Sequence, residues 1–191
     1  MSAETTKRWI SADELLLDSF RLARLVIDSG YRPTLLIGLW RGGAAVAVAV
    51  HESLAWHGLA CAHMPLLTRL YTGIDMRAGA VQIEGLGDLA PKLAQPARIL
   101  VVDDVFDTGV TMQGVLAAIL ALPGAEREIR SATVWHKPGR NRTTLQPDYR
   151  LRTTEDWLVF PHELQGIDAE ELRRGRGEAF LAALGGADAS P

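Results

Sequence analysis

The sequence has few cysteines and lacks a long apolar run. Cys61 is the one cysteine in 191 residues, which excludes an internal disulfide. The longest apolar stretch, residues 42–50, is much shorter than the roughly 20 apolar residues that a membrane-spanning helix needs. The N-terminus also shows no cationic start followed by an apolar run and a small-residue cleavage site. We therefore expect a cytoplasmic protein with no membrane partner, in which the glycosylation pattern of residues 141–143 is not used.

The overall charge is also small. The formal net charge is −3, with 48% hydrophobic and 23% charged residues, which is typical of a globular protein. This balance does not favour binding to a nucleic-acid backbone, so any phosphate ligand must be held locally. We expect one domain over residues 1–191, with a core at about 12–137, a small base-binding hood at about 138–165 and a C-terminal helix at about 168–184.

Apolar runs alternate with helix-like segments along the chain. We predict buried strands at 34–39, 59–67, 98–103 and 131–136, and helices at about 12–29, 44–57 and 111–122. His63 and Pro65 suggest that the second of these strands is short or lies at a sheet edge. The alternation predicts an α/β fold with a mainly parallel central sheet flanked by helices, in which ligands bind at the carboxyl ends of the strands.

Residues 68–87 lose the hydrophobic period and include four glycines. We expect a long loop or a loose hairpin here. Long loops in compact domains often cover active sites, but loops also accept insertions that have no function. Both interpretations of this segment remain open.

Residues 99–113, ILVVDDVFDTGVTMQ, carry the strongest chemical signal. A buried strand ends in Asp103 and Asp104, and residues 107–111 then offer backbone amides, two hydroxyls and a glycine where a helix begins. Such a helix start favours an anion, so we predict a phosphate monoester site. Ordinary helix capping is an alternative, although it needs only one such residue. A receiver domain is another, but no further Asp lies between Asp107 and Lys137.

This segment resembles the phosphoribosyl pyrophosphate (PRPP) signature of type I phosphoribosyltransferases. The resemblance implies that family's fold, with a hood over the carboxyl ends of the strands. It implies that Asp103 and Asp104 hold the ribose hydroxyls, with Mg²⁺ bound through Asp104. It also implies that the 5-phosphate lies in a loop of five residues, namely Asp107, Thr108, Gly109, Val110 and Thr111. Asp107 would in addition face N7 of a purine and act as general base or proton shuttle.

Two further segments extend the resemblance. Trp40-Arg41-Gly42-Gly43 is similar to the family's pyrophosphate loop, and residues 68–87 fall where the family has its lid. The segments 135–140 and 154–161 resemble the base-binding end of bacterial and archaeal xanthine-guanine phosphoribosyltransferases. By that resemblance, Lys137 would donate to a purine 6-oxo group, Trp157 would stack on the base, and the Leu158 backbone would read the 2-position edge.

The resemblance implies a Mg²⁺-dependent enzyme that transfers phosphoribose from PRPP to guanine, xanthine or hypoxanthine, releasing pyrophosphate. It also implies a homo-oligomer, dimeric or tetrameric. One alternative is a PRPP-sensing regulator with the same fold, although no helix-turn-helix is evident and the charge is acidic. Another is transfer to adenine or to a pyrimidine.

Overall fold

Six strands form the mainly parallel sheet that the sequence predicts. The structure is a computed structural model, and it describes residues 7–70 and 81–185. The strands are β1 Lys7–Trp9, β2 Leu35–Trp40, β3 Ala62–Leu70, β4 Val81–Glu84, β5 Ala97–Phe106, β6 Arg127–His136, β7 Tyr149–Thr153 and β8 Trp157–Val159. The helices are α1 Ala12–Asp28, α2 Gly42–Trp56, α3 Leu86–Leu89, α4 Val110–Ala121, α5 Ala169–Arg176 and α6 Glu178–Ala183. Two compact units result, one of residues 13–155 and one of residues 1–12 with 156–191.

The larger unit contains the main sheet. Its strand order is β4-β3-β2-β5-β6-β7, and all neighbours are parallel except the antiparallel pair β3 and β4. From β2 the chain continues to β3 on one side, whereas from β5 it continues to β6 on the other. The carboxyl ends of β2 and β5 therefore flank the topological switch point, where open α/β sheets bind their ligands. The predicted α/β class is confirmed.

Helices cover both faces of this sheet. Gly38 of β2 faces α2, because a Cβ at Gly38 would lie 2.7 Å from Cβ of Ala47. On the other face, alternate residues of β2 and β5 such as Ile37 and Val101 form a buried cluster with Val115 of α4. The side chains of a strand alternate between faces, so both sides of β2 and β5 are buried, as their continuous apolar runs predict.

The strand predicted at 59–67 begins and ends three residues later in the structure. β3 runs over nine residues, from Ala62 to Leu70, so His63 and Pro65 do not shorten it. β4 pairs with β3 at residues 67–70 and covers that end of the strand. Among the described residues no strand pairs with β3 on that side at Pro65, so the proline interrupts no ladder there. The predicted lid therefore begins and ends in two antiparallel strands, β3 and β4. Its residues 71–80 lie outside the described part of the chain.

The sheet also extends further than the sequence indicates. β7 pairs with β6 and places residues 149–153 in the larger unit, so the predicted start of the hood at about 138 falls inside that unit. Arg152 of β7 donates to Asp18 of α1, with an Nη2–Oδ1 distance of 3.0 Å. Arg21 donates to the same carboxylate at 2.8 Å. Asp18 is fully buried, so these bonds tie α1 to the edge strand of the sheet.

The smaller unit is built on a parallel pair, β1 with β8. The Arg176 guanidinium donates to the carbonyls of Ile10 and Val159 and so joins the two strands to α5. The predicted last helix is in fact two helices, α5 and α6, which meet at Gly177 with a φ of +86°. The single-domain organisation remains a prediction. Within the described ranges, no helix has both the length and the apolarity to cross a membrane.

Candidate active site

The predicted acid pair lies near the carboxyl end of β5, at the switch point. Asp103 is partly exposed, and its Oδ1 accepts a hydrogen bond from the Asp104 amide at 3.0 Å. Desolvation of its carboxyl group raises the pKa of Asp103 well above its ordinary value, and the charge of Asp104 raises it further. Asp104 is buried, and its Oδ1 accepts from the Val105 amide at 2.7 Å. Two adjacent carboxyl groups are thus held rigidly by the backbone that carries them.

The Arg-Gly-Gly turn after β2 packs directly against this pair. A Cβ at Gly42 would overlap the carboxylate of Asp104, and a Cβ at Gly43 would lie 2.7 Å from the Val102 carbonyl oxygen and 2.8 Å from Cα of Asp103. Both contacts are closer than real Cβ atoms make, so a Cβ at Gly43 would displace backbone and a Cβ at Gly42 would displace the Asp104 side chain. Arg41 precedes the turn at the start of α2 and is exposed. The structure therefore brings the two segments with the predicted PRPP residues together.

The predicted 5-phosphate loop connects β5 to α4. Gly109 caps α4 with a φ of +77°, a conformation that favours glycine, and Val110 and Thr111 begin the helix. Among the described residues the Gly109 amide has no protein acceptor. The loop thus combines the positive end of a 12-residue helix with an amide that is free to bind a ligand. This arrangement can hold an anion at the end of β5.

Asp107 stands at the start of this loop between two cations. Its Oδ1 is 2.7 Å from Nε of Arg140, an ion pair without an aligned hydrogen bond, and its Oδ2 is 3.8 Å from Nζ of Lys137. The Asp107 side chain is about one third exposed, whereas that of Lys137 is 5% exposed. Asp107 is thus positioned by opposite charges on two sides, and part of its side chain remains open to a ligand.

Lys137 follows β6 and is held close to the phosphate loop. Its amide donates to the Phe106 carbonyl at 2.9 Å, and a short 3₁₀ turn, Pro138–Arg140, comes directly after it. Glu155 supports that turn, because its Oε1 accepts from the Gly139 amide at 2.8 Å. The backbone therefore sets the position of Lys137 beside Asp107.

The remaining predicted base-binding residues belong to the smaller unit. Trp157 begins β8 and is 51% exposed. Leu158 is buried and pairs in register with Arg8 of β1. The roles of Trp157 and Leu158 in binding a base remain predictions.

The acid pair also fits the expected Mg²⁺ site. Within residues 7–70 and 81–185, no group of three or more His, Cys, Asp or Glu side chains could hold a metal ion. Mg²⁺ in enzymes that use phosphate substrates is nevertheless usually bound by one or two carboxylates, with substrate oxygens and water completing its octahedron. Asp104 supplies hard oxygen ligands next to Gly42 of the Arg-Gly-Gly turn, where no side chain intervenes. The residues present are thus suitable for Mg²⁺ that is shared with a substrate.

Sequence reasoning missed three residues that shape this site: Arg140, Asn141 and Thr143. Arg140 pairs with Asp107, while Asn141 and Thr143 contact the Gly109 backbone. No spacing rule identifies them, since they follow β6 in an irregular segment. The proximity of the Lys137 segment to the DTG loop in a parallel sheet is the one signal that could have suggested them.

The fold and the site together define an α/β protein with an anion-type loop at the switch point of its sheet. The family model described as "Phosphoribosyl transferase domain" matches residues 11–165. The chain belongs to this family. No protein of curated function matches the sequence.

Solved structures of the same fold include purine phosphoribosyltransferases. The purine phosphoribosyltransferase of Pyrococcus horikoshii is 25% identical with a TM-score of 0.64, over 84% of this chain and 96% of that one. The Helicobacter pylori xanthine-guanine-hypoxanthine enzyme is 22% identical with a TM-score of 0.66, over 81% and 92%. A hypothetical protein from Neisseria gonorrhoeae with bound ppGpp is 20% identical with a TM-score of 0.71, over 93% and 99%.

Proposed function

We propose that this phosphoribosyltransferase transfers the 5-phosphoribosyl group of PRPP to a 6-oxopurine, namely guanine, xanthine or hypoxanthine. The products are the nucleoside 5′-monophosphate and pyrophosphate, as in purine salvage. One observation carries the proposal: Asp107, at the start of the phosphate-type loop, lies 3.8 Å from the buried ammonium group of Lys137. This pair would join the sugar-phosphate end of the site to its base end.

The PRPP end of the site comprises three segments. The loop of residues 107–111 would bind the 5-phosphate through its amides and hydroxyls at the start of α4. Asp103 and Asp104 would bind the ribose 2- and 3-hydroxyls. Arg41, Gly42 and Gly43 would bind the pyrophosphate, because the glycines allow close approach of the backbone and Arg41 supplies positive charge. The packing of Gly43 against Asp103 supports placing ribose and pyrophosphate side by side.

The base end determines the substrate class. Lys137 is a pure donor, so it would bind the 6-oxo acceptor of guanine, xanthine or hypoxanthine and oppose the 6-amino donor of adenine. Trp157 would stack on the purine and the Leu158 backbone would meet its 2-position edge.

The proposed chemistry needs no protein nucleophile. N9 of the base attacks C1 of PRPP as the bond to pyrophosphate breaks, through a transition state with positive charge on the ribose ring. Asp107 would accept the proton from the purine imidazole at N7, while Arg41 would stabilise the charge of the departing pyrophosphate. Mg²⁺ bound through Asp104 would add positive charge at the pyrophosphate oxygens. The remaining catalysis comes from positioning and from exclusion of water.

Product analysis tests this proposal against a sensor role. The sensor alternative deserves a direct comparison, because a protein of the same fold was solved with ppGpp, a regulatory nucleotide. Wild-type protein is incubated with PRPP, Mg²⁺ and, in turn, guanine, xanthine or hypoxanthine, and the products are identified by mass spectrometry. An enzyme gives the nucleoside 5′-monophosphate of at least one of these bases and pyrophosphate in equal amounts. Tight PRPP binding without nucleotide product would instead support the sensor.

A homo-oligomeric state and a cytoplasmic location remain predictions.

A further inference from the structure

Residues 141–145 form a turn that is held by its own side chains. Oδ1 of Asn141 accepts from the amide and from the hydroxyl of Thr143, both at 2.9 Å. Nδ2 of Asn141 donates to the Leu145 carbonyl at 2.8 Å, and the Thr143 hydroxyl accepts from the Leu145 amide at 3.2 Å. Two side chains thus make four bonds within five residues, which fixes the turn in one conformation.

This turn lies against the predicted 5-phosphate loop. A Cβ at Gly109 would lie 2.6 Å from Oγ1 of Thr143 and 2.8 Å from Oδ1 of Asn141. Cζ of Phe106 would be 2.8 Å away. The space that a side chain would occupy at Gly109 is therefore filled by an aromatic ring and two polar oxygens, and those oxygens are themselves held by the turn.

A backbone hydrogen bond orients the loop from the same side. The Arg142 amide donates to the Thr108 carbonyl at 2.9 Å. In a planar trans peptide the C=O and the following N–H point in opposite directions. Because the Thr108 carbonyl points toward the turn, the Gly109 N–H points away from it. That amide has no protein acceptor within the described part of the chain, as an anion-binding loop requires.

We infer that Asn141 and Thr143 are positioning residues for binding of the 5-phosphate, and this inference rests on the proposed function of the loop. They act through Gly109 and Thr108 rather than by touching the substrate. The turn keeps the Gly109 amide directed toward the phosphate, so binding does not first require the loop to be ordered. The bond from Asn141 to Leu145 also occupies the amide that N-glycosylation would modify.

Binding of ribose 5-phosphate and of pyrophosphate to Thr143 variants, measured by calorimetry on the full chain, tests this inference. Thr143→Val keeps the side-chain shape but removes the hydroxyl, and it should raise the Kd for ribose 5-phosphate about 10-fold. Thr143→Ser restores the hydroxyl and should bind within about 2-fold of wild type. Thr144→Val is the matched control, because the exposed Thr144 lies next in the chain, and it should bind as wild type does.

Pyrophosphate gives an internal reference, since it binds at the Arg-Gly-Gly turn, and its Kd should stay within about 2-fold in every variant. If Thr143→Val weakens the binding of both ligands equally, or if Thr143→Ser binds ribose 5-phosphate as weakly as Thr143→Val does, the positioning role is wrong.

Asn141→Ala gives a second test, and we expect the same selective loss of ribose 5-phosphate binding. If wild type does not bind ribose 5-phosphate, the 5-phosphate assignment fails and the inference fails with it. If wild type binds it but forms no nucleotide from guanine, xanthine or hypoxanthine, only the proposed function fails.

Discussion

Arg140 holds the Asp107 carboxylate at an Nε–Oδ1 distance of 2.7 Å, and it does so from a turn that begins directly after Lys137. The segment that supplies the proposed base-recognition residue therefore also orients the proposed general base. Asp107 in turn begins the phosphate loop. The proposed recognition of the base, proton transfer and binding of the sugar phosphate would thus be linked through a few residues at the ends of β5 and β6.

Replacement of Asp107 by Asn should separate chemistry from binding. The amide has the shape of the carboxylate but cannot accept a proton, so kcat should fall by about 10²- to 10⁴-fold. The Kd for PRPP should change by less than about 3-fold, because the loop amides remain in place. Steady-state kinetics and calorimetry measure the two quantities. Equal losses in kcat and in PRPP affinity would contradict a proton-transfer role for Asp107.

Replacement of Gly43 by Ala should impair the PRPP site. The added Cβ would approach the Val102 carbonyl and Asp103, so the Arg-Gly-Gly turn must move away from the acid pair. We expect the KM for PRPP to rise at least about 10-fold, with the KM for the base changed little. Gly87→Ala is the control, since no atom lies within 4 Å of a Cβ at Gly87. Wild-type kinetics in Gly43→Ala would show that the contact does not matter for PRPP.

Replacement of Lys137 by Met should reduce discrimination between bases. The variant keeps a long apolar side chain but loses the donor, so the preference for guanine over adenine in kcat/KM should fall by at least about 100-fold. Lys92→Met serves as the control, because Lys92 is an exposed lysine of the same unit. The measurement is the ratio of kcat/KM values for the two bases. An unchanged ratio in Lys137→Met would remove Lys137 from the recognition of the 6-position.

Activity should require Mg²⁺ and depend on Asp104. We expect a chelator to abolish turnover and added Mg²⁺ to restore it. Asp104→Asn should raise the Mg²⁺ concentration for half-maximal rate by about 10-fold or more, because an amide is a weaker ligand than a carboxylate. A Mg²⁺ titration of the initial rate checks this. A variant with the same half-maximal concentration as wild type would show that Asp104 does not bind the metal.

The buried ion pair of Asp18 should make stability dependent on pH. Burial alone would raise the pKa of Asp18, but hydrogen bonds from Arg152 and Arg21 lower it below its ordinary value of 3.8. A lowered pKa in the folded state stabilises the protein above the ordinary value, and this contribution is lost as the pH falls through the folded-state pKa. At pH 7, Asp18→Asn should lower the free energy of unfolding by about 2 kcal/mol.

The free energies of unfolding of wild type and Asp18→Asn, compared over a range of pH, test this prediction. The difference between wild type and Asp18→Asn should shrink as the pH falls below about 4. Asp28→Asn is the control on the same helix, because the Asp28–Arg24 pair is exposed and its loss should hardly change Tm. Chemical denaturation between pH 3 and 7 measures these differences. A constant difference across that range would contradict the assigned role of Asp18.

The sequence predicted the elements that carry a strong local pattern. A buried parallel strand is continuously apolar, and this pattern identified β2 and β5 and the helices after them. The site loops could then be located, because each begins where one of these strands ends. β7 was missed because YRLRT is a short edge segment with two arginines. Its position depends on pairing with β6 and on the bond of Arg152 to Asp18, and neither leaves a periodic signal.

In the site, too, only the residues within a continuous local pattern could be predicted from the sequence. Asp103, Asp104 and residues 107–111 lie within one continuous segment, so their proximity follows from the chain itself. The contacts of Arg140 with Asp107 and of Thr143 with Gly109 join segments more than 30 residues apart in the chain, and only the folded sheet brings them together. A prediction from residue types could therefore propose the ligand of the loop but not the residues that hold the loop in place.

The most direct measurement of the central claim is the initial rate of pyrophosphate release from PRPP with guanine, xanthine, hypoxanthine and adenine. Each base is supplied at several concentrations with saturating Mg²⁺, so that kcat/KM is compared between bases. Transfer to a 6-oxopurine predicts that at least one of the first three bases exceeds adenine by about 100-fold or more. Faster release with adenine, or no base-dependent release at all, would contradict the assignment.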